Sequence, residues 1–137
     1  MGNPEFKHFI HSVIIRARSK ISALLVALAY LDRTKSHLDP RLFGTRRVQE
    51  RIFIAALILA TKVRSRYGQN DPELTPLQYV DDSSPRGRRW SNISQIFTAR
   101  EVGKAELVLL RALEWDLSIT DDEVLRSWTA IVRRTTE

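Results

Sequence analysis

Residues 52–60 read Ile-Phe-Ile-Ala-Ala-Leu-Ile-Leu-Ala, nine positions without a polar side chain. At 3.6 residues per turn this is about two and a half turns of helix, with apolar atoms pointing to every side. Such a helix has no face to give to water, so other helices must enclose it. It also falls well short of the ~18 apolar residues that a membrane-spanning helix needs. The segment therefore predicts an all-α fold: a single bundle of five main helices around a buried central third helix, capped by Thr45 and ending near Arg64.

The flanking sequence supplies the enclosing helices. Phe6, Phe9, Ile10, Val13 and Ile14 fall at helical spacing and predict a first helix over 6–16. Ile21, Leu24, Leu25, Leu28 and Leu31 make a second stripe, on a helix from Ser19 or Lys20 to Lys35. Its small residues Ala23, Ala27 and Ala29 allow close approach, and Asp39-Pro40 and Gly44 break the chain after it. Thr98-Ala-Arg-Glu101 and Thr120-Asp-Asp-Glu123 are capping boxes, in which hydroxyl and carboxylate each accept from a backbone N–H of the first turn. The first opens a helix running to about Trp115. The second opens a last helix with Val124, Leu125, Trp128 and Ile131 on its apolar side. Between them and the central helix, Thr75-Pro76 predicts a short helix over 76–80, and a further short helix near Ser91 would hold Ile93, Ile96 and Phe97. The start, Met-Gly-Asn-Pro-Glu-Phe, is neither a secretory signal nor a myristoylation site. Residues 1–5 read as a cloning-derived leader.

Composition sets the class. The chain has 137 residues, 22 basic and 16 acidic, for a net charge of +6. That is enough for one domain with a sizeable core. The absence of cysteine excludes disulfides, thiolate metal sites and a cysteine nucleophile, and it fits an intracellular protein. Between Arg41 and Arg66 lie seven basic residues and a single acid, Glu50, while the rest of the chain is balanced. A basic surface of this kind attracts nucleic acid, anionic lipid or an acidic protein. It is equally read as a solvated rim around the apolar helix.

Residues able to carry catalysis are sparse. His8 and His11 are three apart on one helix, but no third ligand of suitable type stands near, and two histidines alone seldom hold a catalytic metal. No histidine lies at a motif spacing from Ser12 or Ser22. Asp121-Asp122-Glu123 is best read as complementing a helix N-terminus, and Asp81-Asp82 as turn residues. Five scattered glycines make no phosphate cradle. Ser84-Pro85 has the core of a proline-directed phosphorylation site beside Arg86, Arg88 and Arg89. No cofactor, metal or small-molecule substrate is implied, and an enzyme is the least supported class.

Three blocks in register resemble a cyclin box. Ala-Leu-Ala-Tyr-Leu-Asp32-Arg33 comes first and Ala-Ala-Leu-Ile-Leu-Ala-Thr-Lys62 second. The third runs Lys-Ala-Glu106-Leu-Val-Leu-Leu-Arg-Ala-Leu-Glu-Trp115-Asp116-Leu117. The resemblance implies a cyclin box over 6–120 and a C-terminal helix over 121–137 that extends it. Asp81-Asp82-Ser-Ser-Pro85, then Trp90 and Glu101-Val102, together with the Glu50-Arg51-Ile-Phe opening of the central helix, resemble the fungal PCL-type cyclins, which serve the PHO-family cyclin-dependent kinase. The chain departs from that pattern at Gly103, where those cyclins usually carry Asn. It also lacks the Met-Arg opening of mitotic cyclins, whose arginine is the usual partner of the residue matching Asp32.

The resemblance implies a regulatory subunit that binds the kinase and positions its αC helix. Lys62 and Glu106 match the family's kinase-facing pair, with Val63 and Leu110 as an apolar patch beside them. Chemistry agrees on the charges: Lys62 closes the apolar run at the rim of the buried helix, and Glu106 is a carboxylate on an apolar face that needs a partner. The alternative is that Lys62 and Glu106 pair only with each other across two packed helices, which is compatible with a joint role in binding. Asp32, Arg33, Arg51 and Trp90 are expected to be structural, the first two as helix-packing residues. The partner implied is a PHO-family cyclin-dependent kinase, inside the nucleus or cytoplasm and without a membrane, with cell polarity and G1 progression as the processes served. The alternative is a basic helical domain of cyclin fold that binds nucleic acid or an acidic protein.

Overall fold

The computed structural model describes residues 4–68 and 85–136. Six helices follow in order: α1 Pro4–Ala17, α2 Ile21–Thr34, α3 Val48–Gly68, α4 Pro85–Ser94, α5 Ala99–Ala112 and α6 Asp121–Thr136. A 3-10 turn, Pro40–Phe43, lies between α2 and α3. The short helix expected over 76–80, the Asp81-Asp82 pair and Ser84 lie outside the described residues.

The apolar run behaves as its composition demands. Phe53 is 8% exposed and every residue from Ile54 to Ala60 is fully buried. α3 packs chiefly against α2 and α5, with α1 and the 3-10 turn closing its remaining sides. Two apolar clusters meet along it. In one, Leu59, Ala60 and Val63 pack with Tyr30 of α2 and Leu109 and Leu110 of α5. In the other, Ile54, Leu57 and Ile58 meet Phe9 and Val13 of α1 and Trp90 of α4. Ala55, Ala56 and Ala60 keep α3 thin enough for neighbours on all sides to reach it.

Several boundaries differ from the sequence expectation. α1 starts at Pro4 rather than Phe6, and Glu5 ion-pairs with Arg47 at 3.2 Å, so residues 4 and 5 are part of the helix. α3 starts at Val48, and Thr45 does not cap it. Arg47 there has a φ of 56°, and its guanidinium is held by the 95%-buried carboxylate of Glu50 at 2.8 Å. Gly44, at φ 108°, supplies the left-handed turn that leaves the 3-10 segment. Ile96 and Phe97 fall in the turn after α4, not on it, with Phe97 buried against Phe9 at 6.2 Å between ring centres. α5 stops at Ala112 because Glu114 and Trp115 adopt φ values of 56° and 61°. On α6, Val124 packs on the core, whereas Leu125 and Trp128 stay exposed.

Both capping boxes form. Thr98 and Glu101 exchange bonds of 3.1 and 3.0 Å, and Thr120 and Glu123 exchange bonds of 3.1 and 3.3 Å. Each glutamate has a second task. Glu101 receives Arg51 at 2.6 Å, and Glu123 receives Arg33 at 2.8 Å. The Thr98 N–H first, and then the Arg51 guanidinium, hold the Glu101 carboxyl below its ordinary 4.5. For Glu123 the Arg33 guanidinium acts first and the Thr120 N–H second. A depressed folded value means that the unfolded chain takes up protons first as acid is added. The stabilisation is therefore full above the ordinary 4.5 and is lost as pH falls through the folded values. Urea unfolding followed from pH 7 to pH 3 should show a stability loss at the acid end that is shallower in Glu101→Gln and Glu123→Gln than in the unaltered chain.

Candidate functional site

The last buried turn of α3 carries Lys62 past Leu59 to the α5 side, next to Val63. Glu106 occupies the facing stripe of α5, one turn from Val102 on one side and from Leu109 and Leu110 on the other, all of them buried. The Lys62 ammonium donates to Oε1 of Glu106. Their side chains are only 7% and 4% exposed. The structure thus brings the two sequence-predicted charges together, and it places them deeper than a rim position. The ammonium is turned inward onto a carboxylate.

Val63 and Leu110 were expected as an apolar surface beside the charges, but they are 5% and 2% exposed and belong to the core cluster around Leu59 and Leu109. The exposed apolar group at this end of α5 is instead Trp115, 51% exposed. Its backbone N–H donates to the Leu110 carbonyl at 3.0 Å, which ties Trp115 to the last turn of α5. The sequence carried a signal for it: Glu114-Trp115-Asp116 puts an aromatic between charged residues immediately after the apolar stripe of α5 ends.

Asp32 is also corrected. It is an exposed residue paired with Lys35 at 2.8 Å, with both side chains more than half exposed, and it stands at the edge of the groove between α2 and α6 rather than packed within it. Arg33, by contrast, reaches from α2 to the segment that follows α5. Its Nη1 donates to the Asp116 carbonyl and its Nη2 to the Ser118 carbonyl, both at 2.8 Å. Arg51 joins the start of α3 to the start of α5 through Glu101, donates to the Arg46 carbonyl at 2.8 Å, and lies over the Phe97 ring at 4.8 Å. Trp90 is buried in the α1–α3–α4 cluster, 3% exposed.

In the basic stretch from Arg41 to Arg66, the side chains of Arg64 and Arg66 lie outside the described residues, and those from Arg41 to Lys62 are not a free patch. Arg41 pairs with Asp39, Arg46 and Arg51 with Glu101, Arg47 with Glu5 and Glu50, and Lys62 with Glu106. Apart from Glu50, which lies within the stretch, these acids come from outside it, so a charge count along the sequence does not see them. His8 and His11 are exposed on α1. Among the described residues no three His, Cys, Asp or Glu side chains gather as a metal site, and no helix is long and apolar enough to cross a membrane.

A desolvated pair of this kind constrains its own mutagenesis. Removing one charge strands the other in a dry setting, whereas replacing both with apolar side chains of similar volume avoids that penalty. Lys62→Ala should cost about 3–5 kcal/mol in urea unfolding. The double variant Lys62→Met with Glu106→Met should fall within about 1–2 kcal/mol of the unaltered chain.

Residues 4–118 match the family model of the cyclin N-terminal domain. Among curated proteins, the chain is 29% identical over 125 residues to PHO85 cyclin-9 of Saccharomyces cerevisiae, covering 90% of this chain and 36% of that protein. It is 26% identical over 123 residues to PHO85 cyclin-2 of the same yeast, covering 89% and 35%. With PHO85 cyclin-1 it shares 27% over 123 residues, covering 89% and 38%. The chain thus spans little more than a third of the length of these relatives. No solved structure matches it.

Proposed function

This chain belongs to the family of cyclin N-terminal domains, and on that premise we propose that it is a regulatory subunit that binds and activates a cyclin-dependent kinase of the PHO family. The observation that carries the reading is the buried Lys62–Glu106 pair joining α3 to α5, with the exposed Trp115 just beyond the C-terminal end of α5. Its likeness to three PHO85 cyclins supports the choice of kinase family. The protein would act inside the cell, in nucleus or cytoplasm, on a protein partner, and would itself carry out no chemistry.

The mechanism is a population shift. A kinase of this class is inactive while its αC helix holds the glutamate away from the catalytic lysine. A partner that binds only the aligned helix raises the active fraction. Moving the ratio from 1:99 to 99:1 takes about 5.5 kcal/mol of differential affinity. Lys62 and Glu106 would supply hydrogen bonds to the kinase backbone at the start of αC. Because the two side chains are already desolvated and fixed by each other, docking spares most of the dehydration and ordering that a pair of free surface charges would require. Trp115 would supply the apolar anchor, since tryptophan is among the side chains that most often dominate binding energy at an interface. The division into a box over 6–120 and an extending helix over 121–137 belongs to this proposal, with α6 resting on α2.

The nucleic-acid alternative is not favoured. The arginines and the lysine from Arg41 to Lys62 already have carboxylate partners, and the centre of α3 is spent on burial rather than on groups that read bases.

The double methionine variant separates binding from folding. Mixed with purified kinase of this family, the unaltered chain should associate and stimulate substrate phosphorylation. The folded Lys62→Met, Glu106→Met protein should lose about 2–5 kcal/mol of binding, roughly 30-fold or more in Kd. Calorimetry of the two mixtures decides. No association by the unaltered chain, or equal association by both, would refute the proposal.

A further inference from the structure

The segment from Leu113 to Ser118 has no regular structure of its own, yet it is bonded at every step. On its α5 side, the N–H groups of Glu114, Trp115 and Asp116 donate to the carbonyls of Arg111, Leu110 and Leu113, at 2.9, 3.0 and 3.0 Å. On its far side, three successive carbonyls are taken by two residues of α2. Arg33 donates to Asp116 and to Ser118, at 2.8 Å each, and the Tyr30 hydroxyl donates to Leu117, between them, at 2.7 Å. Tyr30 is fully buried. The Arg33 guanidinium lies 5.6 Å from the Tyr30 ring centre and also grips Glu123 of the α6 capping box.

This clamp has work to do. Glu114 and Trp115 are consecutive residues with φ of 56° and 61°, a left-handed conformation that L side chains with a Cβ disfavour and that persists only when the surroundings impose it. The backbone reversal turns Trp115 outward at the end of α5. Residues 116–118 are otherwise held by bonds within the segment, from the Asp116 N–H to the Leu113 carbonyl and from the Ser118 N–H and hydroxyl to the Asp116 carboxylate, and by Leu117 against the core; the α2 contacts are the ones that tie this backbone to another helix by hydrogen bonds.

We propose that Arg33 is a positioning residue for the partner-binding surface: with Tyr30, it locks the 116–118 backbone and so fixes where the Trp115 indole stands relative to the Lys62–Glu106 pair. Arg33 makes the contact with a planar fork that spans two carbonyls, a geometry that a lysine ammonium cannot copy even though it keeps the charge. The proposal rests on the kinase-docking reading for its consequence, but not for its structural content.

The test uses Arg33→Lys in the chain labelled with 5-fluorotryptophan, whose three resonances are assigned by single Trp→Phe variants. In the free protein the Trp115 resonance should shift or broaden, while that of buried Trp90 stays in place and circular dichroism is unchanged. Kinase affinity should fall about ten-fold, and in a double-mutant cycle Arg33→Lys should add nothing to Trp115→Ala. An unmoved Trp115 resonance overturns the proposal, as does full additivity in the cycle. Should Arg33→Lys fail to fold, Tyr30→Phe removes the hydroxyl that holds the Leu117 carbonyl and is read in the same way. If the unaltered chain binds no kinase, the docking reading fails while the fluorine spectrum still decides whether the clamp holds Trp115.

Discussion

One constraint governs this molecule: a stretch of α3 that cannot face water anywhere. Seven residues, Ile54 to Ala60, have no exposed surface at all. A helix of that kind is stable only when walled in by others, which turns the remaining helices from independent amphipathic units into parts of one wall. α1, α2, α4 and α5 each give their apolar stripe to it. The helix must nevertheless come out of the core, and it does so at Lys62. The first polar groups beyond the dry segment are a threonine hydroxyl, bonded back to the Leu57 carbonyl at 2.7 Å, and an ammonium that meets a carboxylate on the neighbouring helix. Burial thereby dictates where the charge appears, and packing dictates which charge answers it.

The bundle was legible where one local rule dominated. Residues 52–60 announce enclosure by composition alone, and both capping boxes form as their Thr-x-x-Glu spacing requires. Boundaries went astray where long-range contacts overrode the local signal. Thr45 is a good capping residue, but Arg47 is drawn away by Glu5 and Glu50, so the helix begins at Val48. The end of α5 depends on φ values at Glu114 and Trp115 that no propensity suggests. The apolar spacing of α6 is genuine, yet Leu125 and Trp128 remain in contact with solvent, because periodicity reports which side is apolar and not whether anything covers it.

The candidate site shows the same division. The types and positions of Lys62 and Glu106 could be read from a charge at the end of an apolar run and a carboxylate on an apolar face. Their mutual burial could not, because it depends on how α3 and α5 are set against each other. Val63 and Leu110 followed the helical stripes into the core, as their neighbours did, and the exposed apolar role fell to Trp115. The basic run between Arg41 and Lys62 is instructive for a different reason. Counted along the sequence it is a concentrated positive patch, but in space Glu5, Asp39, Glu101 and Glu106 stand against it. Net charge in a window says little about field once the chain is folded.

The central claim is that the ends of α3 and α5, and not the basic segment or another helix face, meet the partner. Hydrogen–deuterium exchange on the free chain and on its mixture with a PHO-family kinase tests this directly. Added protection should concentrate on the α5 end and the Leu113–Ser118 segment, with the first turns of α1 unchanged. Protection confined to α1 and α2, with the segment around Trp115 exchanging as fast as before, would contradict the account.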